Sequence, residues 1–232
     1  MDINQIKYEA KMRVQNNRFT LLKPQFIVWI LSAAISTIFS MITIGQLGLD
    51  TLANYEANEI AHMIQSAATT NIGSITLALL VTPLNYGVNN YFDEFDKNGF
   101  ADINIIFKSY KYIIKFFVIT IFTNFLISLG SAFLFIPGVI LACTFSIIPY
   151  TYAKHPELGV MEMILRAWNM MKGHKFEYMV LELSFFGWLF LSLCTCGIGL
   201  LWVMPYYKMT MVKYFNKIEE AYNQIPYTTI YE

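Results

Sequence analysis

The sequence predicts an all-α, polytopic membrane protein: six transmembrane helices paired as three hairpins, with short amphipathic helices on the membrane surface. Three observations carry that expectation. The 232 residues are 56% hydrophobic and only 14% charged, where a soluble domain carries about a quarter charged residues; mean hydropathy is +0.47. Apolar runs recur along the chain at close to the length needed to cross a hydrocarbon core about 30 Å thick. All sixteen Lys and Arg residues fall within 1–24, 91–115, 154–175 and 208–217, and the three remaining connections hold none. Basic connections stay on the cytoplasmic side, so both ends of the chain are expected there, in a cytoplasmic membrane.

The elements follow in order. Residues 1–24 carry Lys7, Lys11, Arg13, Arg18 and Lys23 among Ile6, Val14 and Leu21. That pattern predicts a basic amphipathic helix lying on an anionic membrane face. It lacks the cleavable pattern of a secretory signal and is expected to be retained. Residues 25–215 form the transmembrane domain. Pro24 opens the first span, Gln25 to Gly45, and residues 46–71 form an outward connection with a short surface helix. The second span is Ile72 to Asn90. A polar stretch and an approach helix, Ile103 to Lys115, lead into the third, Ile113 to Phe135. The fourth returns from Val139 to Ala153, and 158–172 form a surface helix with Glu162 and Arg166 paired four residues apart. The fifth span is Phe176 to Cys194, Cys196 to Gly199 make a turn, and the sixth is Leu200 to Phe215. The fourth and sixth are short, and a re-entrant path is the alternative there. Residues 216–232 read as a polar cytoplasmic tail.

Each inward-running helix carries a proline with tyrosine on its cytoplasmic side: Pro83 with Tyr86, Pro149 with Tyr150, Pro205 with Tyr206 and Tyr207. A proline removes one backbone donor and leaves the carbonyl four residues back to be met by a neighbour or by water. Either the three kinks open a tyrosine-lined pocket to the cytoplasm, or they are the prolines that membrane helices routinely tolerate. Glu182 is the sharpest single residue, about 10 Å into the fifth span, where a charge must pair, be neutral or face water. Folding the hairpin places Lys213 level with it and Lys208 one turn away; Tyr178, Ser184 and Tyr150 are further candidate partners. A register-fixing ion pair and a ligand- or proton-binding carboxylate are both open. His174 and Lys175, with Lys172, sit at the cytoplasmic mouth of that span, either holding a phosphate or lipid headgroup or acting as interfacial anchors. Gly187, Gly197 and Gly199 are expected to serve close packing and turning.

Other classes find little support. The three cysteines, Cys143, Cys194 and Cys196, fit neither a disulfide framework nor zinc ligation. Glu59 and His62 are too few to hold a metal. The triads, paired-histidine motifs and phosphate loops of enzymes are missing, and so is a folded basic domain for nucleic acid. No cofactor is expected.

At IPGVIL, HPELG, MKGHKFEYMVLELSFFGW and GIGLLWVMPYYK the chain resembles a bacterial family of multi-pass membrane proteins known as domain of unknown function 975. The likeness covers about Pro83 to Phe215. More distantly it resembles the membrane domain attached to some glycerophosphodiester phosphodiesterases, without their catalytic domain. The resemblance implies a carboxylate where Glu182 stands, while Lys208 and Cys196 depart from the pattern. The function expected is a non-enzymatic membrane protein that binds or moves an amphipathic ligand, lipid or peptide, through a cytoplasm-facing pocket. The alternative is an interaction or immunity protein acting through a partner such as a transporter or toxin.

Overall fold

The computed structural model describes residues 2–53, 59–133, 135–195, 197 and 199–224, with side chains described outside 43–53, 59–78, 132–135 and 193. Among these residues every regular element is helical. The order is α1 (Ile3–Asn16), α2 (Arg18–Ala53), α3 (Glu59–Asn98), α4 (Asn104–Lys108), a 3₁₀ turn (Ser109–Tyr112), α5 (Ile113–Phe133), α6 (Phe135–Phe145), α7 (Ile148–Lys154), α8 (Val160–Met170), α9 (Lys175–Cys194) and α10 (Leu200–Asn223).

Three described stretches are long and apolar enough to cross a membrane: Arg18–Ile42, Asn104–Ser131 and Ile136–Lys154. The first two leave most of their length outside the protein core. Ile30, Ile38 and Met41 on one, and Ile114, Ile121 and Phe125 on the other, are exposed. Water would penalise so much apolar surface, whereas hydrocarbon is a fitting solvent for it.

Asp2 caps α1, its carboxylate accepting from the backbone N–H of Asn4 at 3.0 Å and Gln5 at 3.4 Å. Ile6, Ala10 and Val14, four residues apart and so on one face, are buried. That face packs on α10, so these three side chains meet protein, while Tyr8, Met12 and Phe19 stay exposed. Glu9 lies 3.9 Å from both Lys213 and Lys217. Arg13 donates to the carbonyls of Phe95 (3.2 Å) and Asp96 (2.9 Å) at the end of α3, where a cation meets unpaired carbonyls and the negative end of the helix dipole.

After Asn17 the chain turns into α2, so the helix starts at Arg18 and holds Pro24 inside it. The carbonyl four residues before Pro24 is that of Thr20, and Tyr91 of α3 donates its hydroxyl to it at 3.3 Å. Near Pro83 in α3, Tyr110 donates to the carbonyl of Leu80, three residues before the proline, at 2.7 Å. A protein donor thus answers the carbonyl freed by Pro24, as apolar surroundings require.

The separate loop and surface helix expected over 46–71 are replaced by extension of α2 to Ala53 and a start of α3 at Glu59; Tyr55 and Glu56 lie outside the described residues, and so do the side chains of Glu59 and His62. Pro137 and Gly138 lie within α6 rather than in a turn, which lengthens the return stretch that looked short. Gly138 sits against α5, and a Cβ there would meet the backbone nitrogen of Ser131 at 2.9 Å. The chain breaks helix at Ser146–Ile147, so Pro149 starts α7 instead of kinking a continuous span. Gly197 has φ +84, as the turn before α10 demands, whereas Gly187 faces open space and packs on nothing. Of the cysteines, Cys143 is buried, Cys194 exposed, and both are free; Cys196 lies outside the described residues.

Candidate functional site

Glu182 sits between two tyrosines. Tyr178, one turn earlier on α9, donates its hydroxyl to Glu182 Oε1 at 2.5 Å. Tyr207 reaches across from α10 and donates to the same oxygen at 2.6 Å. Rings close around this group: Phe185 packs edge-on to Tyr207 with centroids 5.3 Å apart, Tyr178 lies 5.6 Å from Phe215, and Tyr150 stacks on Phe215 at 4.5 Å. Tyr86 packs elsewhere, against Phe116 at 4.2 Å and Tyr152 at 5.8 Å. The tyrosines beside the three prolines therefore fill space with their rings, and the pocket imagined between the kinks is occupied by aromatic packing.

The hairpin register is fixed by Tyr207, not by a lysine. Successive helical residues point about 100° apart, so with Tyr207 facing α9 its neighbour Lys208 turns to α3. There its Nζ donates to Asn89 Oδ1 at 2.9 Å. Lys213 pairs with Asp96 at 3.0 Å, seven residues beyond Asn89 and so on nearly the same face of α3. The two lysines expected beside Glu182 instead clamp α10 to α3. Ser184 donates to the carbonyl of Leu181 in its own helix at 2.5 Å and makes no cluster with Glu182. At the mouth of α9, His174 Nδ1 lies 3.0 Å from Glu177 Oε2, and Lys175 Nζ sits 4.5 Å over the Trp168 ring. His174 and Lys175 thus have separate partners and do not converge on one point.

A buried carboxylate with several cationic partners was missed in the sequence. Glu219 of α10 is 4% exposed. Its Oε2 is 2.5 Å from Lys154 Nζ at the end of α7. Its Oε1 is 2.9 Å from His155 Nε2 and 3.2 Å from Arg166 Nη2 on α8. Arg166 also donates to Asn223 Oδ1 at 3.1 Å and lies over the Tyr222 ring. Burial pushes the Glu219 carboxyl up, but the hydrogen bond and charge of Lys154, with His155, outweigh it and hold the group below the usual glutamate range. Arg166 is therefore not paired with Glu162; Glu162 turns back to accept from the Gly159 backbone N–H at 2.8 Å and caps α8. The signal was present: Val212, Phe215, Ile218 and Tyr222 continue the apolar stripe beyond Phe215, where the sixth span was ended. The polar tail accordingly begins later, since α10 runs to Asn223 with Ile218 buried; residues 225–232 lie outside the described residues.

The open space lies elsewhere, in a cleft of about 230 Å³ between α1, the start of α2, α9 and α10. Trp188, Leu201, Trp202 and Leu22 wall it, Tyr206 closes its inner end, and Lys11, Gln15 and Arg18 rim it. Arg18 lies 5.2 Å over the Trp202 ring. Of the candidates drawn from the sequence, Tyr206 alone borders this cleft. Assigning the first helix to the membrane face had hidden it, because the cleft exists only once α1 lies beside α10.

No curated protein and no solved structure matches the chain. The family model described as "Protein of unknown function (DUF975)" matches residues 107–222, a stretch that runs from α4 to the end of α10 and takes in both carboxylate clusters. The chain belongs to that family.

Proposed function

We propose that this chain is a non-enzymatic, multi-pass protein of the cytoplasmic membrane that binds an amphipathic ligand in the cleft between α1, α9 and α10. In this reading six helices cross the bilayer as three hairpins and both termini face the cytoplasm. The observation that carries it is the cleft itself. It is lined by apolar and aromatic side chains together with Lys11, Gln15 and Arg18, a mixture that suits a molecule with an apolar and a charged part. Support for the membrane setting comes from the three spanning stretches and their exposed apolar side chains. Two partly buried charged groups have internal partners. Glu182 joins α9 to α10 through Tyr207, and Lys208 joins α10 to α3. Neither is left over for chemistry on a substrate.

A photoreactive amphiphile with a diazirine in its alkyl chain tests the reading in native membranes. Label mapped by proteolysis and mass spectrometry should concentrate on Trp188, Leu201 to Tyr206 and Val14. Label spread evenly over the lipid-facing sides of Arg18–Ile42 and Asn104–Ser131, with none above that level in the cleft, contradicts it.

A further inference from the structure

The cleft carries a second feature, the sign of its charge. Its lining includes two cations, Lys11 and Arg18, and no carboxylate. Lys11 lies three and four residues before Val14 and Gln15, so one side of α1 faces the cleft, and Arg18 borders it from the start of α2. Lys7 extends the same stripe, its Nζ lying 4.9 Å over the Phe185 ring. The acidic side chain on α1 that faces α10 is Glu9, and it is turned to Lys213 and Lys217. Among the described residues no carboxylate lies within ion-pair distance of Lys7, Lys11 or Arg18. Burial lowers the pKa of Lys7, while Lys11 and Arg18 are exposed.

The walls beneath these cations are apolar and open sideways. Trp188 and Trp202 are 54% and 55% exposed, and Phe190 and Leu191 beside Trp188 are exposed too. A ligand seated here meets two cations close beside two indole rings, Arg18 lying over that of Trp202. We infer that the occupant is an anionic phospholipid, its phosphate held by Lys11 and Arg18 and its acyl chain laid along Trp188, Leu201 and Trp202. Arginine and lysine recognise phosphate as paired donors and point charge respectively, and the indoles supply apolar surface with a donor at its edge. Charge complementarity selects this occupant over an apolar or zwitterionic one. The inference rests on the amphiphile-binding reading above and narrows it to one lipid class.

The test uses the full chain in phosphatidylcholine nanodiscs, with Trp29→Phe and Trp168→Phe so that only the two cleft indoles fluoresce. A minority of the lipid is replaced by acyl-brominated phosphatidylglycerol or, in parallel, by acyl-brominated phosphatidylcholine. Bromine in contact quenches the indoles, so quenching per brominated lipid reads occupancy. The expected result is a preference of about tenfold for phosphatidylglycerol, since each cation near an anionic headgroup favours it severalfold. Lys11→Gln with Arg18→Gln should bring that preference close to one, and Lys11→Arg with Arg18→Lys should keep it. Equal quenching by both lipids overturns the anionic-lipid inference while leaving a cleft that takes amphiphiles. Quenching by neither above the level of an exposed surface tryptophan overturns the amphiphile reading as well. Native mass spectrometry of the unaltered protein gives a measurement free of variants: retained phosphatidylglycerol supports the inference, and retention of phosphatidylcholine in equal measure contradicts it.

Discussion

A carboxylate inside apolar protein must be met by donors, and Glu182 and Glu219 are met by different ones. Glu182 takes two neutral phenols; Glu219 takes a lysine, a histidine and an arginine. Substitution should separate them. Glu182→Gln keeps an acceptor oxygen for both tyrosines and should cost about 1 kcal/mol. Glu182→Leu strands two hydroxyls and should cost about 2–6 kcal/mol, at roughly 1–3 kcal/mol for each unsatisfied group. Thermal unfolding in detergent measures both. Glu219→Ala leaves three donors facing an apolar hole and should cost about 3 kcal/mol, the low end of the range for a broken buried pair because its cations keep some water. Because the folded Glu219 carboxyl is held below the free-glutamate range, its stabilisation is complete above that range. It is lost as pH falls through the folded value. The unaltered protein should therefore lose more stability between neutral pH and pH about 3 than Glu219→Gln does; equal loss would show that the carboxylate is not linked to folding. Glu182 was legible in the sequence because a lone acid interrupts an apolar run. Its partner was not, since helical phase alone does not say which of Tyr207 and Lys208 faces α9.

At the scale of elements, close backbone approach and proline repair hold the helices in place. Gly87 of α3 lies directly against the backbone of Ile106 in α4, so any Cβ there collides with main chain that cannot turn aside. Gly87→Ala should push α4 away, break the hydrogen bond from Tyr110 to Leu80, and cost more than about 2 kcal/mol, as overpacking at a rigid contact does. Gly187→Ala, facing open space, should leave stability unchanged or slightly raised, since alanine is the better helix former. The pair of thermal midpoints checks this. Three of the six expected spans, the first, third and fourth, have counterparts among the stretches long and apolar enough to cross, whereas the break at Ser146–Ile147 falls inside what was read as one continuous span. The extent of α2 and α3 was not readable. Residues 46–71 are only moderately apolar, and a polar connection and a helix extended beyond the bilayer give similar sequence there. The role of α1 was also hidden, because a basic amphipathic helix reads the same whether its apolar face meets lipid or α10.

For the whole molecule, the account rests on the chain passing back and forth through the membrane with its basic segments on one side. In that threading the basic cluster around Glu219 falls on the same side as the basic segments. The most direct measurement is labelling of single cysteines by a membrane-impermeant maleimide in intact cells, in a background with Cys143, Cys194 and Cys196 replaced by alanine. Asp50→Cys should react from outside, whereas Glu157→Cys and Gln224→Cys should react only after the cells are permeabilised. Labelling of Glu157→Cys or Gln224→Cys in intact cells, or protection of Asp50→Cys until permeabilisation, would contradict the threading.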